Sequence, residues 1–155
     1  MKNALYPKFT IAYLILGFLS FFVISFLGST LIQRELTEQT GNALYREAVN
    51  IASYQADHYY TQQANLEDTY YNLCTLAEYQ NAQLWMLDPD GNVLLSTAEE
   101  LDQEHPKKLE DFDPAALSGG YYTIGTFYRY FTEEHISVLA PVTLNMSTKG
   151  YIAVH

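Results

Sequence analysis

Four histidines, one cysteine and eighteen carboxylates could do chemistry in this chain, and their spacing assembles none of the usual catalytic sets. A phosphoacceptor histidine sits in a helix before an acidic residue and a basic-proline pair. Here His58 precedes Tyr59, His105 precedes Pro106, His135 precedes Ile136 and His155 is terminal. There is no glycine-rich phosphate loop and no Ser/His/Asp or Cys/His arrangement. Cys74 is read as core packing on the apolar side of a helix. Asp88 and Asp90 with Gly91 form a fragment of a calcium loop, but the remaining ligands and the terminal Glu are missing. Glu99, Glu100, Asp102 and Glu104 beside His105 could hold a hard cation, and a solvated acidic loop is the better reading. No catalytic residue, metal or cofactor is expected.

Recognition is the chemistry left. The run Tyr121 to Phe131 reads as the longest strand, rich in Tyr, Phe and Thr. Strand alternation puts Tyr122, Ile124, Thr126, Tyr128 and Tyr130 on one face. Tyr121, Thr123, Gly125, Phe127, Arg129 and Phe131 take the other. Arg129 could clamp a carboxylate with its planar fork, or lie exposed beside a hairpin turn near Glu133 and Glu134. The 14 tyrosines could stack on a ligand or serve as amphipathic core and rim residues. Tyr122, Tyr128, Arg129, Tyr130 and His135 are the candidate ligand-binding residues.

The elements that must position them fall into two halves. From Gln33 to about Gln63, Leu36, Ala43, Leu44, Ala48, Ile51, Ala52 and Tyr59 recur at spacings of three, four and seven, an amphipathic helical stripe. A second, shorter helix is expected from Asn65 to Tyr79, with Asn65 as N-cap and Glu67 and Asp68 in the first turn. The period then changes. Gln83–Leu87 and Val93–Thr97 read as strands around the turn Asp88-Pro89-Asp90-Gly91-Asn92, where Pro89 pre-sets φ and Gly91 accepts a positive one. A long polar connection runs from Ala98 to Gly120, with a helical turn at Pro114 to Leu117. Strands are expected at His135–Val142 and Gly150–His155. The sum is an α+β domain: a long helix, a short second helix, then an antiparallel sheet of about five strands with helices on one face.

Phe9 to Ile32 is a run of 24 residues without an Asp, Glu, Lys, Arg or His. A spanning helix needs about 20 such residues. A cleaved signal peptide has a shorter apolar core and a small-x-small cleavage site, for which Gly28-Ser29-Thr30 is a weak candidate. A pilin start would need Gly before Phe9 and Glu inside the helix, where this chain has Lys8 and Tyr13. A buried globular helix is rarely apolar on every face for this length. The expected organisation is therefore a cytoplasmic tail at 1–8, a transmembrane helix at 9–32 and an extracytoplasmic domain at 33–155. Lys2 and Lys8 favour the N-terminus inside only slightly, because Arg34 and Arg46 follow closely. From Gln33 onward six basic residues stand against eighteen acidic ones, a balance of −12. That balance speaks against nucleic acid and against lying on anionic lipid.

In this order, the helices, the hairpin Leu84–Leu94 and the run His135–Val142 followed by Gly150–Val154 resemble a known family. It is the extracytoplasmic PAS-like sensor region, of the Cache type, of Gram-positive transmembrane sensor histidine kinases. The hairpin is similar to the first hairpin of such sheets, and the last two runs to their last two central strands. The resemblance implies a small-molecule ligand held between the sheet and the long connection, and a homodimer through Leu44, Ala48 and Ile51. It also implies signalling through the membrane helix. Such sensors return through a second membrane helix, so the resemblance implies that the sequence ending at His155 is a fragment. The other readings are the input region of a chemotaxis receptor or cyclic-dinucleotide enzyme, or a bitopic protein whose domain grips a surface partner.

Overall fold

The computed structural model describes residues 5–101, 106–117 and 121–155. The chain forms two compact units, Met1–Glu38 and Gln39–His155. One helix, α1 (Leu5–Ile51), contributes to both. Its N-terminal stretch is apolar on every side, with Phe18, Phe21, Phe22 and Ile24 all exposed. Among the described residues this is the one helix long and apolar enough to cross a membrane. Thr10, Ser20 and Thr30 each return the hydroxyl to the carbonyl four residues earlier, which satisfies it inside the helix.

In the second unit the helix goes through a π-helical turn at Ala52–Ala56 and ends as α2 (Asp57–Tyr60). Gly41 lies within it, and the Tyr122 side chain packs where a Cβ at that position would stand. After a short loop, α3 (Leu66–Gln80) starts on Asn65, whose side chain accepts the Asp68 N–H at 2.7 Å. It stops at Asn81, which is left-handed and donates its backbone N–H to the Ala77 and Glu78 carbonyls.

Five antiparallel strands follow: β1 (Leu84–Leu87), β2 (Val93–Ser96), β3 (Thr123–Gly125), β4 (His135–Leu144) and β5 (Ser147–Val154). Their spatial order is β2-β1-β5-β4-β3, so β5 is central and β4 lies beside it. The β4–β5 hairpin closes on Asn145 and Met146, both at positive φ, as a two-residue turn between Leu144 and Ser147 requires. A 3₁₀ turn at Pro114–Leu117 lies where a helical turn was expected.

Alternation along the strands builds two cores. Leu84, Met86, Val138, Ala140, Val142, Ile152 and Val154 face the helices and pack on Ala48, Ile51, Ala52, Ala56, Leu73 and Ala77. Trp85, Leu87, Val93 and Ala153 face the other way and are covered by Leu109, Phe112 and the segment Phe127–Phe131. The long connection therefore acts as the second cover of the sheet.

One expectation needs correction. Tyr121 to Phe131 is not one long strand. Only Thr123–Gly125 pairs with β4, and Phe127, Tyr128 and Arg129 then take φ of 40°, 52° and 63°. This left-handed turn is closed by Tyr130 N–H to Phe127 C=O at 3.1 Å and Phe131 N–H to Thr126 C=O at 3.0 Å. Turning the chain over lets its aromatic rings share one face, which alternation would forbid. Ala48 and Ile51 are buried and Leu44 is partly buried against the same core. These residues pack against the protein's own sheet.

Candidate functional site

Trp85, at the middle of β1 and only 1% exposed, organises the face away from the helices. Tyr130 meets it edge-on at 4.4 Å between ring centroids, His155 at 4.7 Å and Phe127 at 5.8 Å, with Phe131 tilted at 5.4 Å. These are the offset and edge geometries that aromatic quadrupoles favour. The left-handed turn presses Phe127, Tyr130 and Phe131 down onto the strand. Three consecutive non-glycine residues at positive φ cost about 1–2 kcal/mol each, so ring packing must offset that strain.

Inside this aromatic box two polar atoms lack a hydrogen-bond partner among the described residues: Trp85 Nε1 and His155 Nε2. The other imidazole nitrogen of His155 lies 2.7 Å from the Ser137 hydroxyl, itself fully buried. Burial, reinforced by repulsion from His135, pushes the His155 imidazole down to about 3. The ring is neutral at physiological pH. Its backbone is fixed by N–H and C=O bonds to Gln83 at 3.0 and 2.9 Å.

At the rim, the Tyr130 hydroxyl donates to Glu99 at 2.6 Å, and Lys107 reaches the same carboxylate at 2.6 Å. The Lys107 ammonium holds Glu99 below the usual carboxylate range, with the Tyr130 bond adding to it. Burial raises the Tyr130 phenol, and its bond to Glu99 acts in the same direction. This trio ties the long connection to the turn. It also gives Glu99 a structural partner; Asp102, Glu104 and His105 of the proposed acidic cluster lie outside the described residues. Asp88 accepts the Asp90 and Asn92 backbone N–H groups at 2.9 Å and the Asn92 side chain at 2.6 Å, so its carboxylate shapes the turn. Among the described residues no group of three His, Cys, Asp or Glu could hold a metal ion.

Where the strand ends meet α3, an open cleft of about 640 Å³ is lined by residues including Cys74, Glu78, Asn81, Thr97, His135 and His155. Small-molecule pockets are commonly of about 300–1,000 Å³. A second space, under the long connection beside Lys107 and Tyr130, is only about 80 Å³ and too small for a metabolite.

The five residues nominated from sequence divide accordingly. Tyr130 belongs to the box. Tyr128 lies at its edge, donating its hydroxyl to the Asp113 carbonyl at 2.8 Å and stacking on Phe112 at 5.2 Å. His135 lines the cleft, and its ring lies 4.6 Å from Phe131. Arg129 is exposed and makes no ion pair with Glu133, Glu134 or any other described residue. Tyr122 packs on the helix side against Gly41, away from the box. Trp85 and His155 were missed. Trp85 is the only tryptophan, in the hairpin already singled out; His155 follows the apolar run Tyr151–Val154 that marked the last strand. Cys74, assigned to the core, is half-buried on the cleft wall.

A scan against models of protein families and a search of curated protein sequences each return no match for this chain.

Proposed function

We infer that this chain is the extracytoplasmic sensing region of a bacterial two-component sensor histidine kinase, anchored by α1 with its N-terminus in the cytoplasm. The observation that carries this reading is a single helix, Leu5–Ile51, that holds both the apolar stretch and the buried residues Ala48 and Ile51 beneath the sheet. A movement of β4 or β5 against those residues is thereby felt by the helix that carries the membrane-length stretch. Packed elements of this kind shift by about 1–2 Å in known switches. The acidic balance of Gln33–His155 supports its placement outside the cytoplasm.

The central position of β5, with β4 beside it, agrees with the expected central pair of a PAS-like sheet. The sensed molecule is a small metabolite taken up at the cleft by His135 and His155, next to the aromatic box. A ligand transmits only if it binds one arrangement better than the other. Thermal unfolding of the full chain in detergent micelles, screened against amino acids, organic acids and sugars, tests the reading. One class should stabilise the second unit, by about 2.7 kcal/mol at a hundred times its Kd. No stabilisation by any class counts against a sensor.

A second reading has one observation in its favour. Trp85 and Phe127 are 1% and 3% exposed, so the aromatic face is closed. A closed face suits a bitopic protein whose domain grips a surface partner instead of a metabolite. Pairing of two copies belongs to either reading and would use the opposite side of the long helix, where Val49 and Tyr54 are exposed.

A further inference from the structure

We propose that His155 is an acid-operated latch on the aromatic face: one proton taken from solvent expels its ring from the box into the adjacent cleft and uncovers Trp85. The geometry leaves a charged ring nowhere to stay. The ring has one polar partner, the Ser137 hydroxyl, 2.7 Å from Nδ1. An imidazolium carries N–H on both nitrogens, and Nε2 is buried with no acceptor among the described residues. Phe127 and Phe131 meet the ring edge-on at 4.4 and 4.9 Å and bring no oxygen or nitrogen acceptor, leaving only the weaker attraction of their ring faces.

The groups facing His155 from the packed elements supply no counter-charge inside the box. From β4 come Ser137 and a second imidazole, His135. From β1 comes Trp85, and from the turn Phe127 and Phe131, none of them charged; Tyr130 beside Trp85 has its hydroxyl committed to Glu99. Lys107 is committed to the same carboxylate. Across the cleft, α3 presents Tyr70, Cys74 and Glu78. Glu78 is the one carboxylate among the described residues lining that cleft. An expelled imidazolium therefore moves towards water and a negative charge, away from burial beside His135. The turn over Trp85 holds three residues at positive φ, a strain that the ring packing offsets.

The latch regulates the face on which the sensor reading rests, yet its test needs no ligand. Trp85 is the only tryptophan, so acrylamide quenching of the full chain in detergent micelles reads the box directly. Between about pH 6.5 and pH 4.5 the open population should rise nearly tenfold per pH unit while far-UV circular dichroism stays constant. His155→Phe, which keeps a ring but no proton, should flatten the response. Where that variant fails to fold, the imidazole resonances of the unsubstituted protein serve instead, and His155 should not titrate near pH 6.5 while the face is closed. Flat quenching, an equal rise in His155→Phe, or loss of helix signal in step with Trp85 exposure overturns the latch. Failure here leaves the sensor reading standing, and a failed metabolite screen leaves the latch standing.

Discussion

The two faces of one sheet are built from different materials. The face under the helices is aliphatic, filled by Leu84, Met86, Val138, Val142, Ile152 and Val154 against small residues of the long helix. The opposite face is aromatic, with Trp85 under Phe127, Tyr130 and Phe131, and it is covered by irregular chain. The aliphatic face asks little of its cover beyond shape. The aromatic face holds two ring nitrogens without partners among the described residues, a largely buried imidazole and a turn of three left-handed residues. Unsatisfied polar groups and strain persist only where surrounding packing over-determines them, and they collect at functional sites. The helix side is not free of such features, since the Tyr60 hydroxyl is buried against Gly150 and pushed up to about 12, chiefly by burial.

The sharpest way to compare the faces is on β1 itself, where neighbours point in opposite directions. Trp85→Ala should cost about 3–5 kcal/mol and Leu84→Ala about 2–5 kcal/mol in chemical denaturation of the second unit. A cost below about 1 kcal/mol for Trp85→Ala would mean that the aromatic face is not a folding core.

Acid separates the faces next. With the aromatic face closed, His155 stays neutral to about 3, against 6.5 for a free imidazole. Between those values the unfolded state binds the extra proton. The stability His155 contributes is therefore complete above 6.5 and falls as pH drops towards 3, by up to about 1.4 kcal/mol per pH unit. Comparing His155→Phe with the unsubstituted chain isolates this slope, and identical slopes would remove His155 from the account.

Smaller effects test the covers. Asn65→Ala removes the cap of α3 and should cost about 1 kcal/mol. Arg129→Gly keeps the left-handed backbone at φ 63° and loses no ion pair among the described residues. It should stabilise the domain by about 0.5–1 kcal/mol. A loss of stability instead would show that Arg129 holds a partner.

The same contrast explains what was legible in the sequence. Helical spacing of Ala48, Ile51 and Ala52, the Asn65 cap and the Asp88–Asn92 turn each state their structure locally, and the helices and β1–β2 hairpin follow from them. The aromatic run Tyr121–Phe131 has the composition of a strand, and burial of its rings on Trp85 overrides that propensity. Consequently the turn brings Tyr130 onto Trp85, and Tyr122 packs against Gly41 on the helix side. His155 carries no local signal, because its role arises from Ser137 and Trp85, which only the sheet brings near it.

On the proposed function, the aromatic face and its cleft are where this protein meets a small molecule. Emission from Trp85 in the full chain, recorded while the metabolite that stabilises it is titrated, tests this most directly. A saturable change in Trp85 emission at the concentrations that raise the unfolding temperature is the predicted result. Stabilisation with Trp85 emission unchanged would place the ligand elsewhere and contradict it.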